Sequence, residues 1–169
     1  MGAAKKIFQA VAKTGVLVAS LGGVVYYMQN KVKKEENYTK RYKRYYELTN
    51  QWLLNKNANK SIEEYFRKNQ YKSIAVYGQG TLCELLCTEL REQAQSGVKI
   101  EYFIDKNTAG VCYNENDIPT VGPADIGTQK KVDVIVVTPI ANYEEIIADL
   151  SDAAVDCDII SLEDVIYEI

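Results

Sequence analysis

The segment IAVYGQGTLCELL, residues 74–86, constrains this chain more than any other. Ile74 to Tyr77 form a short apolar run, Gly78 and Gly80 bracket a turn, and beyond Thr81 apolar residues recur at helical spacing. A strand that passes straight into a helix through two glycines must lay that helix back on a sheet, which points to an α/β layer architecture. In the full form of such a turn, a third glycine permits close helix–strand packing. Cys83 stands in its place here, so the helix is expected to stand off slightly while the two turn glycines remain.

The residues that follow repeat the pattern. Strands are expected over 73–78, 98–105 and 132–139, with a short strand inside IPTVGPADI and a last one in CDIISL. VDVIVVTP is continuously apolar, as a central parallel strand covered on both faces should be. Helices are expected over 81–95 and 142–151 and in the closing LEDVIYEI, and in the first of these Leu82, Leu85, Leu86 and Leu90 should point inward. Cys83 and Cys87 share a helix face and read as small buried residues packing on the sheet. Together these imply a small doubly wound parallel sheet of about five strands over residues 72–169, of expected order 3-2-1-4-5.

Several classes of chemistry are excluded by composition. No histidine is present, which removes His-based triads, His-ligated zinc and the usual neutral-pH general base. The four cysteines form no CxxC pair or zinc-ribbon spacing and fit a reducing compartment, so no metal site is expected. What remains legible is an anion site. The backbone amides of Gly80, Thr81 and Leu82 open a helix whose dipole favours negative charge, and Gly78 makes the tight turn before them. Asp105 closes the second strand, 25 residues after Gly80, where a carboxylate can accept from both hydroxyls of a ribose or cap the turn DKNTAG. Lys106 and Asn107 follow it, and Thr138 with Pro139 ends the fourth strand beside the point where the strand order reverses.

The pattern SIAVYGQGTLCELL … IEYFIDKNTAG … IPTVGPADI … VDVIVVTP … DIISLEDVI resembles the small Rossmann-like domains of bacterial surface-polysaccharide biosynthesis proteins, often labelled nucleoside-diphosphate-sugar epimerase-like. The resemblance covers residues 72–169. It implies binding of a nucleotide or nucleotide-sugar, with NAD or a nucleotide-sugar as the leading ligand, in a role accessory to glycan biosynthesis and beside an enzyme of that process. Independent catalysis is not expected, because no His and no suitably placed Tyr/Lys pair follows the turn. The alternative is a non-catalytic protein-interaction module that has kept the fold and lost the ligand.

The N-terminal half differs in character. Residues 1–72 carry fifteen Lys/Arg against five Asp/Glu, whereas residues 73–169 carry five against eighteen, so the two halves suit different neighbours. Residues 7–28 form an apolar run interrupted by Lys13, followed by Tyr26, Tyr27 and a lysine cluster. Residues 1–34 are expected to be a hydrophobic helix that anchors the chain at a membrane, with the C-terminal domain facing the cytoplasm. A peripheral or self-associating helix and a processed signal are the alternatives. Residues 35–71 read as a basic, tyrosine-rich helical connector beside an anionic leaflet, whose aromatics pack on the next domain, with contact to RNA or phosphoinositide headgroups as a rival; no nucleic-acid partner is expected. Ser61 with Glu64 has the form of a capping box for a short helix that buries Ile62, Tyr65 and Phe66.

Overall fold

The computed structural model describes residues 2–92, 97–108, 118–152 and 156–169, with residues 2–22 and 152 as backbone only. The elements run α1 (Gly2–Asn57), α2 (Ile62–Lys68), β1 (Ser73–Tyr77), α3 (Thr81–Glu92), β2 (Lys99–Ile104), β3 (Thr120–Val121), β4 (Val134–Val137), α4 (Tyr143–Asp152), β5 (Asp158–Ser161) and α5 (Leu162–Glu168). Short 3-10 turns at Pro123–Thr128 and Ile140–Asn142 follow β3 and β4. The chain divides into two compact units, Met1–Arg44 and Tyr45–Ile169.

The second unit is a Rossmann-like α/β fold. Its five strands pair in parallel in the order β3-β2-β1-β4-β5. Alternation along the strands sends Ile74, Val76, Phe103, Val134 and Val136 to one face and Ala75, Tyr77, Tyr102, Ile104, Ile135 and Val137 to the other. The first face lies under Leu82, Cys83, Leu86 and Leu90 of α3 and Leu162, Val165 and Ile166 of α5. The second is covered by Ile126 from the first 3-10 turn and by Ile146 and Leu150 of α4. Because both faces are covered, β4 is buried at all four positions, as its unbroken apolar run requires.

The connector packs on the following domain as expected. Leu48 and Trp52 of α1, with Ile62, Tyr65 and Phe66 of α2, are buried in the same cluster as α3 and α5, so the compact unit begins at Tyr45. The attachment is polar as well as apolar. Glu89 of α3 is 3% exposed, and its carboxylate accepts from the Trp52 indole N–H at 2.6 Å and from the Ile62 backbone N–H at 3.1 Å. Lys56 reaches the edge of that carboxylate at 3.9 Å. Asn55, also buried, donates from Nδ2 to the Ile166 carbonyl at 2.6 Å and ties α1 to the end of α5.

Local expectations are amended in three places. Ser61 does sit in extended backbone before α2, but its side chain makes no capping hydrogen bond. Glu89 takes the Ile62 amide instead, a long-range cap in place of a local one. A local box does form at α5, where Ser161 Oγ accepts from the Glu163 amide and the Ser161 amide donates to Asp164 Oδ2. On α3, Leu85 faces outward at 43% exposure, and its expected inward place is taken by Cys83, Cys87 and Glu89. The thiols lie on the buried face as expected, with Sγ atoms 3.9 Å apart. Cys112, Ala109, Gly110 and positions 93–95 of the expected third helix lie outside the described residues.

Two predictions follow from this packing. Glu89→Ala leaves the Trp52 and Ile62 donors buried without an acceptor and should cost about 3 kcal/mol. Trp52 is the single tryptophan, so urea unfolding followed by its fluorescence reads the loss directly. At the amino end of the sheet, Asp133 Oδ2 accepts from the Lys72 and Ser73 amides at 2.7 and 2.8 Å, and chiefly the Ser73 and Lys72 bonds hold its carboxyl below the usual carboxylate range. A lowered folded pKa stabilises the fold above the unfolded value, near 4, and that stability is lost as pH falls through the folded value. Asp133→Asn should therefore flatten the acid limb of a stability–pH curve, by about 1 kcal/mol or less because the group is exposed.

Candidate functional site

The carboxyl ends of β1 and β4 meet where the strand order reverses, and the glycine turn sits there. Gly78 has φ +89°, a conformation that favours glycine. A Cβ at Gly78 would stand 2.6 Å from Pro139 Cγ, 2.7 Å from Pro139 Cδ and 3.0 Å from Thr138 Oγ1. The Thr138 hydroxyl, 3% exposed, donates to the Tyr77 and Gly78 carbonyls at 3.0 and 3.1 Å, and its amide donates to Tyr77. Gly78 in turn donates to the Ile104 carbonyl at 2.8 Å, which carries the β1–β2 pairing into the turn. The structure thus brings Gly78, Thr138 and Pro139 together.

Gly80 is different in kind. Its carbonyl accepts from the Cys83 and Glu84 amides, so it closes the first turn of α3, and a Cβ there would meet none of the described residues within 4 Å. Among the described residues, the space above the helix start is open. In an α-helix the first-turn amides have no intrahelical acceptor, which leaves those of Thr81 and Leu82 to external partners. Thr81 is exposed at this opening, whereas the Leu82 side chain turns into the core and only its backbone belongs to the site.

Asp105 lies beside the turn, as its place after β2 requires. Its Oδ2 accepts from the Gln79 amide at 3.0 Å and its Oδ1 from the Asn107 amide at 2.8 Å. The carboxylate therefore braces the glycine turn and caps its own loop, and each oxygen keeps a second lone pair for a ligand hydroxyl. Lys106 forms an ion pair with Asp149 of α4 at 2.8 Å. The hydrogen bond to Asp149 raises the Lys106 pKa above its ordinary value, so the ammonium is charged and already engaged.

Sequence reasoning missed Gln79, Thr120 and Asp149. Gln79, 5% exposed between the two glycines, donates from Nε2 to Thr120 Oγ1 at 2.7 Å and links the turn to β3. Its Oε1 and the Tyr77 hydroxyl are buried and have no hydrogen-bond partner among the described residues. Burial pushes the Tyr77 phenol up, so it stays protonated and its O–H has a proton to donate to an acceptor. No periodicity marks a polar residue between two turn glycines as buried. Only the return of β3 beside β2 shows it.

Among the described residues, no group of three or more His, Cys, Asp or Glu side chains could hold a metal ion. Also among them, no helix is long and apolar enough to cross a membrane. Comparisons with protein-family models, with curated proteins and with solved structures found no match.

The two glycines should respond differently to the same change. Gly78→Ala places a methyl against Pro139 in unfavourable backbone and should destabilise by about 3 kcal/mol. Gly80→Ala adds a methyl to open space and should change stability by under about 1 kcal/mol, as read by thermal unfolding of both variants.

Proposed function

We propose that the Rossmann-like unit binds a nucleotide or nucleotide-sugar at the carboxyl end of its sheet and serves glycan biosynthesis without independent catalysis. NAD and UDP-sugars are the leading ligands. The observation that carries this reading is the open space over Gly80 at the start of α3, flanked by the Asp105 carboxylate. A pyrophosphate seated there would take the Gly80, Thr81 and Leu82 amides, with the helix dipole in its favour. Asp105 would accept from ribose hydroxyls and disfavour a 2′-phosphate, which selects NAD over NADP. Gly78 and Thr138 hold the turn in place without touching the phosphate. The resemblance to surface-polysaccharide domains supports the pathway, and the N-terminal helix supports tethering at a membrane with the α/β unit in the cytoplasm.

A second reading has its own observation. Leu53 of α1 and Leu85 of α3 are exposed and line, with Thr49, Trp52, Lys56, Thr88 and Glu89, a mostly apolar groove of about 240 Å³. A module that recruits a partner protein through this groove would need no ligand at the glycine turn.

Thermal shift of the full chain with NAD, UDP-sugars and coenzyme A tests the binding reading. A rise in Tm that is abolished by Gly80→Val supports it. No shift at millimolar ligand, with function in cells intact in Gly80→Val, favours the interaction module instead. Asp149→Asn releases Lys106 for a phosphate and should tighten the binding of an anionic ligand about two- to fivefold, measured by calorimetry. Lys106→Ala should remove that gain.

A further inference from the structure

We propose that the part of α1 within Met1–Arg44 lies along an anionic phospholipid surface, using one face that carries both tyrosines and lysines. This rests on the membrane-tethering part of the function proposed above and specifies its mode: in the plane of the surface, with headgroup charge as the ligand.

In the unit Met1–Arg44, Tyr27, Lys31, Lys34, Tyr38 and Tyr42 recur at intervals of three and four and line one side of the helix, together with Asn30, Thr39 and a single acidic residue, Glu35. Tyr27 and Tyr42 are 69% and 71% exposed, and Tyr38 is 49% exposed with the Lys34 ammonium 5.8 Å from its ring centre. Around the start of the stripe, Val24, Val25, Tyr26 and Met28 are exposed as well, and Val32 is exposed on a neighbouring side of the helix. Aromatic rings with polar edges settle at the headgroup level, and lysine stems lie along apolar surface while their ammonium groups reach phosphates. Tyrosines and lysines that share a helix face can therefore both engage the headgroup layer.

Charge supplies the identity of the partner. Residues 31–44 carry seven Lys/Arg against two Glu, whereas residues 73–169 carry five Lys/Arg against eighteen Asp/Glu. Only the helix is attracted to an anionic leaflet. The geometry of a continuous helix then separates lying from crossing. With a rise of about 1.5 Å per residue, a helix crossing over 7–28 would carry Tyr38 and Tyr42 about 15 to 20 Å beyond the surface, outside the roughly 8 Å Debye length. Those tyrosines would then have no lipid to meet, and the stripe beyond Lys34 would be idle. A helix in the plane uses the stripe from Tyr27 to Tyr42.

The test uses the full chain in vesicle co-sedimentation. Phosphatidylcholine vesicles are compared with vesicles containing about one-third phosphatidylserine. Binding should be at least tenfold tighter to the anionic vesicles and should weaken as salt is raised from about 0.1 to 0.5 M. The variant K31E/K34E, on the stripe, should lose tenfold or more, and Y27S/Y38S/Y42S should lose a similar amount with no change in charge. The variant K33E/K40E, of equal charge change on other faces, should lose markedly less. Circular dichroism confirms that each variant keeps its helix.

Equal losses from K31E/K34E and K33E/K40E would overturn the oriented stripe. Equal, salt-insensitive and carbonate-resistant binding to both vesicle types would overturn the in-plane mode while leaving a membrane tether standing. Binding to neither vesicle type would overturn the tether itself. Binding to a homopolymeric RNA as tight as to anionic vesicles would replace lipid with nucleic acid as the partner.

Discussion

The buried carboxylate of Glu89 is the interaction on which the arrangement of the α/β unit turns. It sits on α3, accepts from Trp52 on α1 and from the first amide of α2, and is 3% exposed. A carboxylate taken out of water is tolerable only with its donors in place, so the three helices cannot separate without stranding a charge. The apolar contacts of Leu48, Ile62 and Phe66 supply most of the attraction in this layer, but they are non-directional. Glu89 supplies the register. It also serves as the N-terminal cap that Ser61 does not provide.

That constraint reaches the candidate site because α3 is shared. At one end the helix is held by Glu89; at the other it begins at the glycine turn, whose path is set by Gly78 against Pro139 and by Asp105 against the Gln79 amide. The site is therefore built from groups already engaged in holding the fold. Asp105 braces a turn, Thr138 bonds two carbonyls, and Lys106 is paired with Asp149. What remains uncommitted is backbone: the helix-start amides and the open space over Gly80. A ligand would meet a preformed turn and would have to compete with Asp149 for Lys106.

Much of this was legible from pattern. The period-2 and continuous apolar runs located the strands, the turn glycines located the switch point, and the acidic residue after β2 was found beside the turn. The misreadings share one cause. Leucine spacing alone placed Leu85 inward, because hydrophobicity is the signal that periodicity uses, and a buried glutamate is invisible to it. Ser61 and Glu64 had the form of a capping box, but the Glu64 amide bonds the Ser61 carbonyl and the first amide of α2, that of Ile62, is taken by a charged acceptor 27 residues away. That the connector's aromatics pack on the domain was legible; that residues 45–57 are tied there through Glu89 and the Ile166 carbonyl was not, because those partners are distant in the chain.

The sequence by itself determined the class of fold, the strand order and the residues of the glycine turn. Those follow from local preferences and from the rule that parallel strands need right-handed crossovers. Only the tertiary structure decided which polar groups are buried, where the compact unit begins, and how the candidate site residues are already engaged. Each of those depends on a donor and an acceptor far apart in the chain being brought within 3 Å, a coincidence of packing that no single segment encodes.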